Sequence, residues 1–201
     1  DIGCHSFATA APFNLGNTIM GYGLSLASSS GMRHALPHKA ISIMGDGGFW
    51  HNGLTSGVTS AVFNEHDGLL IVIDNGYSAA TGGQDIPSLV EPNLIATTLD
   101  ANQPKRESWQ TIEDACRGAG VKWIRTVSTY NIAAMKETLR SALTTDAPGL
   151  KVVVAEGECM LNRQRRVKPL IRQAVSEGRR VTRARFYIDP ETCTGCLLYT
   201  S

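Results

Sequence analysis

The chain has 201 residues, of which 42% are hydrophobic and 18% charged, so it can bury a core and form a globular domain with an appendage. It contains no apolar run of about eighteen residues and no signal-like N-terminus, which excludes a membrane-spanning helix and predicts a soluble chain. A net charge of +1 predicts no partner by itself. Because the sequence begins at Asp1 rather than at methionine, we expect a piece of a longer polypeptide.

The cysteines indicate the cellular compartment. There are five, an odd and scattered set, which argues against a disulfide framework and favours a reducing, cytoplasmic location. They are Cys4, Cys116, Cys159, Cys193 and Cys196.

The first segment brings a thiol and an imidazole together beside Gly3, at Cys4 and His5. Two interpretations of His5 stay open: a direct catalytic role, or a structural one, since adjacent side chains of an extended segment point apart. Residues 17–30 then predict a buried helix that packs closely through its glycines.

Residues 40–84 form the stretch around which the chain is organised. Residues 40–44 (AISIM) and 69–73 (LLIVI) are apolar runs of strand length, and residues 53–64 between them have helical spacing. This order predicts two parallel strands, each ending in a loop that holds an Asp or Asn among glycines. The loops are Gly45-Asp46-Gly47-Gly48 and Asp74-Asn75-Gly76.

The two loops predict a metal-bridged diphosphate site. Ligands of an open α/β sheet bind at the carboxyl ends of the strands, so we expect Asp46 and Asn75 to meet there. A carboxylate, an amide oxygen and backbone carbonyls are the hard ligands that Mg²⁺ selects, and phosphate oxygens and water usually complete its octahedron. Glycines let backbone N–H groups approach the anion, and the following helix presents its positive N-terminus to it.

The later sequence continues the α/β alternation. Residues 108–117 and 131–144 predict helices, and residues 121–127 and 150–155 predict strands, which gives a sheet of at least four strands. Residues 86–106 contain three prolines and predict a long loop.

A basic segment follows, with nine basic side chains against one acidic between residues 160 and 186. It is a solvated face, an arm packed on an acidic neighbour, or a docking surface for an acidic partner. Aromatic interleaving and nucleic-acid motifs are absent from it, so we expect no nucleic-acid binding. Within it, residues 162–166 predict a surface turn, residues 168–176 a short helix and residues 180–187 a strand-like run.

The central stretch carries a resemblance to a known family. GDG, followed at this spacing by Asn75 and a glycine-rich turn, resembles the thiamine-diphosphate-binding motif. The turn Thr81-Gly82-Gly83-Gln84 is similar to that of the 2-oxoacid:ferredoxin oxidoreductases. Asp1-Ile2-Gly3-Cys4-His5 and Glu158-Cys159-Met160 most closely resemble the alpha-type subunits of the indolepyruvate:ferredoxin oxidoreductases.

The resemblance implies a three-layer α/β fold with a mostly parallel sheet, the thiamine-diphosphate-binding fold. It implies three parts: a domain for the diphosphate and Mg²⁺ at residues 1–158, a basic connecting segment at 159–188, and the start of a truncated, ferredoxin-like cysteine region at 189–201. Cys193 would be an iron–sulfur ligand in the full-length protein. A [4Fe–4S] cluster needs four thiolates, so none is predicted in this chain.

By the same resemblance, Mg²⁺ is ligated by the side chains of Asp46 and Asn75 and by the backbone carbonyl of Tyr77. The glutamate that activates the aminopyrimidine belongs to a separate pyrimidine-binding domain, so we expect this chain to bind the diphosphate half and to be inactive alone. The other implied cofactor contacts are Gly3, Cys4, Gly45, Gly47, Gly48, Thr81 and Gly82.

The implied reaction is oxidative decarboxylation of a 2-oxoacid, indolepyruvate or another aryl pyruvate, with CoA as acyl acceptor and ferredoxin as electron acceptor, in an oligomeric enzyme. Phe49 and Trp50 either accept an aryl side chain of the substrate or pack between subunits or domains. One alternative is a non-oxidative thiamine-diphosphate decarboxylase or carboligase, which needs no electron acceptor. Another is a non-enzymatic electron-transfer or metal-binding module built on Cys193 and Cys196.

Overall fold

The structure is a computed structural model that describes residues 1–16, 18–79, 82–88 and 110–182. Its centre is a sheet of four strands in the order β1-β2-β4-β3, and every pairing is parallel. The strands are β1 (Ile41–Gly45), β2 (Leu69–Asp74), β3 (Trp123–Ser128) and β4 (Lys151–Glu156). The four predicted strands are therefore present.

Helices occupy the connections between the strands. They are α1 (Ser25–Met32), α2 (Asp46–Gly48), a π-helical segment (Phe49–Val58), α3 (Thr59–Phe63), α4 (Ile112–Gly118), α5 (Ile132–Thr144) and α6 (Met160–Ser176), with 3-10 helices at Cys4–Thr9 and Arg33–Ala35. The π-helical segment joins α2 to α3 without a break, so one continuous helical run follows β1.

Helices cover the sheet on both faces. On one face, α1 and α3 contribute Leu26 and Ala61 to a core cluster with Val72 of β2. On the other face, Ala142 of α5 clusters with Val153 of β4. Because successive strand side chains alternate between faces, the two clusters lie on opposite sides of the sheet. The expected three-layer α/β fold is confirmed.

Polar side chains cap the N-termini of two of the later helices. The backbone N–H of Asp114 donates to Oγ1 of Thr111 at 3.0 Å, and the N–H of Ala134 donates to Oδ1 of Asn131 at 3.0 Å. These N-caps satisfy amides that have no partner within the helix. They place the starts of α4 and α5 at the residues that follow Thr111 and Asn131.

The helix predicted for residues 17–30 is wrong over its first half. Residue 17 lies outside the described residues, and α1 begins only at Ser25. Gly23 has a φ of +75°, and a Cβ there would lie 2.5 Å from the backbone oxygen of Gly48. A left-handed glycine pressed against another segment ends helical geometry, so the chain turns here instead.

The stretch Gly45-Asp46-Gly47-Gly48 does not form the loop that the sequence predicted: Gly45 ends β1, and residues 46–48 form the first turn of a helix. The helix was expected from Gly53 and begins at Asp46. The Asp46 carboxylate accepts a hydrogen bond from the backbone N–H of Gly47 at 2.7 Å. An acidic side chain that accepts from first-turn amides stabilises a helix start, which offsets the poor helix propensity of the glycines.

The surface turn predicted for residues 162–166 is also wrong, because α6 covers them. The helical hydrogen bonds of α6 begin with the N–H of Arg163, which donates to the carbonyl of Cys159 at 2.9 Å. Residues 180–182 form no strand, and the rest of the predicted strand-like run lies outside the described residues. The long loop predicted for residues 86–106 is described only over residues 86–88.

The chain divides into two compact units, residues 1–164 and residues 165–201. The first holds the sheet. The second is described over residues 165–182, where α6 ends at Ser176 and Gly178 has a φ of +73°. The predicted boundaries at residues 158 and 188 stay predictions. Over the described ranges, no helix is long and apolar enough to cross a membrane.

A buried ion pair lies at the amino end of the sheet. Lys151, the first residue of β4, has a fully buried side chain whose ammonium group pairs with the carboxylate of Asp67, just before β2. Lys39 reaches the same carboxylate at 3.4 Å. Burial alone raises the pKa of Asp67, but its hydrogen bonds and charge interactions with the two lysines outweigh burial and hold the pKa below its usual value.

Candidate cofactor site

The two loops that the sequence singled out meet at the carboxyl end of the sheet. Oδ2 of Asp46 accepts hydrogen bonds from the backbone N–H groups of Asn75 and Gly76, both at 2.8 Å. Asp46 is only 2% exposed. The parallel pairing of β1 and β2 brings these residues together, as their positions after adjacent strands predicted.

A buried carboxylate, Asp46, and a partly buried one, Asp74, lie close together at this end. Burial raises the pKa of Asp46, although hydrogen bonds from the backbone of residues 75, 47, 76 and 77 act in the opposite direction. Burial, followed by the charges of Asp46 and Glu156, raises the pKa of Asp74 to about 6. In the described part of the chain, no lysine or arginine forms an ion pair with Asp46 or Asp74. The site therefore favours a cation.

The Asn75 loop is held by its own side chain. Oδ1 of Asn75 accepts from the backbone N–H of Tyr77 at 3.2 Å, a local turn typical of asparagine. Gly76 between them has a φ of +70°, which glycine adopts without strain. Tyr77 is 4% exposed, and its backbone lies close enough to Asp46 to lower the pKa of that carboxyl through a hydrogen bond.

The glycines of the site have two different roles. A Cβ at Gly45 or at Gly82 would meet nothing within 4 Å, so both border open space. A Cβ at Gly47 would overlap the hydroxyl of Tyr22, and one at Gly48 would overlap the carboxylate of Asp1. The resemblance implies that Gly45, Gly47 and Gly48 contact the diphosphate and that Gly82 closes the turn over it, whereas close packing alone already requires glycine at positions 47 and 48.

The N-terminal candidates Gly3, Cys4 and His5 lie at the start of the 3-10 helix Cys4–Thr9. Cys4 is exposed, and the ring of His5 is close to Gly3, where a Cβ would lie 2.7 Å from Cε1. Nε2 of His5 is buried and has no hydrogen-bond partner among the described residues. Burial and then the positive N-terminus lower the pKa of His5 to about 4, so its imidazole is neutral near pH 7. Its catalytic role stays a prediction.

Two residues that join separate segments of the site, Tyr22 and Ser78, were not predicted from the sequence. The hydroxyl of Tyr22 forms a hydrogen bond with Oγ of Ser78 at 2.9 Å, and the Tyr22 ring packs against His51 at 5.3 Å between centroids. Tyr22 was hidden inside the predicted helix of residues 17–30. Its separation from Ser78 in sequence left no local signal that could have found the contact.

The chain after β4 also contacts the site. The N–H of Gly157 donates to the carbonyl of Asp74 at 3.0 Å, and the N–H of Cys159 donates to the carbonyl of Asn75 at 3.3 Å. Cys159, part of the resemblance, is therefore anchored to the loop that follows β2. Thr81 and Cys193 lie outside the described residues.

Of the two aromatic residues after the Gly-Asp-Gly turn, Phe49 belongs to the core. It is fully buried and packs edge-on against Trp50 with ring centroids 5.1 Å apart. The indole N–H of Trp50 donates to Oγ of Ser88 at 2.9 Å. Phe49 therefore packs within the core of this domain, which neither of the two sequence interpretations predicted.

The fold and the site define a parallel α/β domain with a buried Asp and an Asn-Gly loop at the carboxyl end of its sheet, where domains of this class bind their ligands. Residues 1–154 match the family described as "Thiamine pyrophosphate enzyme, C-terminal TPP binding domain", and the chain belongs to this family.

Curated relatives extend the similarity along nearly the whole chain. The chain is 32% identical over 199 residues to the indolepyruvate oxidoreductase subunit IorA of Archaeoglobus fulgidus, covering 98% of this chain and 28% of that subunit. It is 28% identical over 210 residues to IorA of Methanothermobacter thermautotrophicus, covering 98% of this chain and 32% of that subunit. The resemblance found in the sequence is confirmed, and the chain spans about a third or less of these relatives.

A solved structure shows the same fold. The 2-oxoglutarate:ferredoxin oxidoreductase of Magnetococcus marinus superposes with a TM-score of 0.56 over 69% of this chain and 46% of its own chain. The two are 18% identical, so the likeness concerns the fold alone.

Proposed function

We infer that this chain binds the diphosphate of thiamine diphosphate through Mg²⁺, within an enzyme that oxidatively decarboxylates a 2-oxoacid. One observation carries the proposal: the buried Asp46 carboxylate and the Asn75 loop meet at the carboxyl end of the sheet. Membership of the thiamine pyrophosphate enzyme family supports it.

The donor set fits Mg²⁺. Asp46 offers a carboxylate, Asn75 an amide oxygen and Tyr77 a backbone carbonyl, which are the hard oxygen ligands this ion prefers. A divalent cation would also neutralise the paired charge of Asp46 and Asp74. Among the residues that the structure describes, no three His, Cys, Asp or Glu side chains converge on a metal position. The ion would therefore depend on Asn75 and the Tyr77 carbonyl as much as on Asp46.

The residues of this chain bind and orient the cofactor, and thiamine diphosphate supplies the carbon nucleophile and electron sink for decarboxylation when it is bound. Gly45 and Gly82 border open space in which a diphosphate can approach the backbone. The remaining contacts in this proposal are Gly3, Cys4, Gly47, Gly48 and Thr81. The packing around Asp46 keeps water away from its carboxylate, which strengthens its attraction for a cation.

The full-length activity in this proposal follows the relatives. The IorA subunits are named for indolepyruvate, and the Magnetococcus marinus enzyme is named for ferredoxin and has coenzyme A bound in its structure. We assign this protein an aryl 2-oxoacid such as indolepyruvate, CoA as acyl acceptor and ferredoxin as electron acceptor. The proposal includes a cytoplasmic oligomer, a pyrimidine-binding domain that provides the activating glutamate, and a [4Fe–4S] cluster to which Cys193 contributes.

Calorimetric titration of thiamine diphosphate with Mg²⁺ into the chain and into Asp46→Ala tests the cofactor site. We expect Mg²⁺-dependent binding to the wild type and its loss in Asp46→Ala, because the carboxylate is the one charged ligand. Asp146→Ala removes an exposed carboxylate from the amino end of the sheet and serves as the matched control, with binding unchanged.

If the wild type fails to bind, the titration is repeated with the pyrimidine-binding domain added. If binding is regained, this chain is a half-site. If binding is still absent, the assignment of residues 45–84 as the cofactor site is refuted. With the complete enzyme, reduction of ferredoxin or a viologen during turnover separates the oxidative reaction from a non-oxidative decarboxylase or carboligase.

A further inference from the structure

Three segments of the chain meet at Gly47. The Tyr22 hydroxyl comes from the turn before α1, Ser78 comes from the loop after β2, and Gly47 lies in the first turn after β1. The two hydroxyls are 2.9 Å apart. A Cβ at Gly47 would overlap the Tyr22 hydroxyl and lie 2.5 Å from Oγ of Ser78. The hydroxyl pair therefore lies directly against the Gly-Asp-Gly turn.

Tyr22 is fixed at both ends of its side chain. Its ring packs against His51 of the π-helical segment, and its hydroxyl is held by Ser78. The backbone beside it is fixed as well, because the N–H of Gly23 donates to Oδ1 of Asp1 at 2.6 Å. A side chain restrained in this way can hold the loop that it contacts in one position.

Ser78 is the point at which the loop after β2 closes on itself. Its N–H donates to the carbonyl of Gln84 at 3.1 Å, and its carbonyl accepts from the N–H groups of Gly83 and Gln84, both at 3.1 Å. Asn75 and Tyr77 lie just before this closure. A restraint on the Ser78 side chain is therefore transmitted over very few bonds to both of these residues.

We propose that Tyr22 and Ser78 are positioning residues of the cofactor site. Their hydroxyl pair holds the loop after β2 against Gly47, which places the Asn75 amide oxygen and the Tyr77 carbonyl where they would hold the proposed Mg²⁺. This inference rests on the proposed function, and it assigns a role to two side chains outside the predicted ligand set.

The test uses Tyr22→Phe, Ser78→Ala, the double variant and Ser78→Thr, which restores a hydroxyl. Titration of thiamine diphosphate with Mg²⁺ should show affinity falling about 2- to 10-fold in each single variant, the value of one hydrogen bond. The double variant should bind no more weakly than either single variant, because the two changes remove the same hydrogen bond. Ser78→Thr should bind like the wild type. Tyr130→Phe, on an exposed tyrosine far along the chain, is the control.

A second measurement needs no cofactor. The amides of Asn75 and Gly76 donate to Asp46, and their hydrogen exchange should be faster in Tyr22→Phe and Ser78→Ala than in the wild type. Unchanged exchange and unchanged affinity, with normal binding by the wild type, would overturn the inference and leave the proposed function standing. Absence of binding by the wild type, both alone and with the pyrimidine-binding domain added, would contradict the proposed function instead, and the exchange rates would then decide the inference alone.

Discussion

Removing the charge of Asp67 should destabilise the domain strongly. The side chain of Lys151 is fully buried, so Asp67→Asn leaves a desolvated ammonium group without its carboxylate. Breaking a buried ion pair from one side costs about 3 to 5 kcal/mol of unfolding free energy. Since the Asp67 side chain is 49% exposed, we expect the lower end, about 3 kcal/mol, which corresponds to a Tm loss of roughly 6 to 12 °C.

The assay is urea and thermal unfolding at pH 7, with two further variants for comparison. Lys151→Met removes the buried charge together with its need for a partner, so it should lower the unfolding free energy less than Asp67→Asn does. The double variant Asp67→Asn, Lys151→Met should recover most of the stability that Asp67→Asn loses. Glu137→Gln breaks the exposed pair with Arg140 and should cost less than about 1 kcal/mol. An Asp67→Asn protein within about 1 kcal/mol of the wild type would refute the reasoning.

The same ion pair predicts a pH dependence. The pKa of Asp67 is lower in the folded chain than the ordinary value of 3.8. Its stabilising contribution is therefore complete above that ordinary value and is lost as the pH falls through the lower folded value. Unfolding free energies of wild type and Asp67→Asn should converge in this acidic range. A gap that stayed constant there would mean that charge is not the cause.

Three other sets of side chains have measurable consequences. The pKa of Asp74 is raised to about 6, so the stability that its protonated form contributes is present below about pH 4 and is lost as the pH rises to 6. The Asp74→Asn variant should therefore show a weaker pH dependence of the unfolding free energy across this window. Burial raises the pKa of Cys116 to about 12, so at pH 8 maleimide should label exposed Cys4 while Cys116 reacts only after unfolding. In the complete enzyme, charge reversal at Arg165 and Arg166 should slow ferredoxin reduction at low salt; an unchanged rate would contradict docking there.

The central part of the fold was predictable because local and global signals agree there. The runs at residues 40–44 and 69–73 are apolar, of strand length and ended by Asp, Asn and glycine, and both are strands of the sheet. Parallel pairing then dictates that Asp46 and Asn75 share one end. This contact needs only the topology, which is why sequence reasoning found it.

Contacts that join distant segments were not predictable. Tyr22 has apolar neighbours at spacings that mimic a helix, yet the turn there depends on Gly23 fitting against Gly48 and hydrogen bonding to Asp1. The early helix start at Asp46 depends on a side chain accepting backbone amides from its own turn and from the loop after β2. Hydrophobic periodicity carries no information about such hydrogen bonds.

The parallel sheet also separates the loops into two groups that can change independently. The turns of residues 65–68 and 145–150 precede β2 and β4 and lie at the amino end, away from Asp46. Sequence changes in these turns should not affect the carboxyl end, because β2 and β4 lie between the two ends and each is hydrogen-bonded on both sides. The exposed turn at Asp146 is consequently the place for a fluorescent label or an inserted peptide that leaves the cofactor chemistry intact.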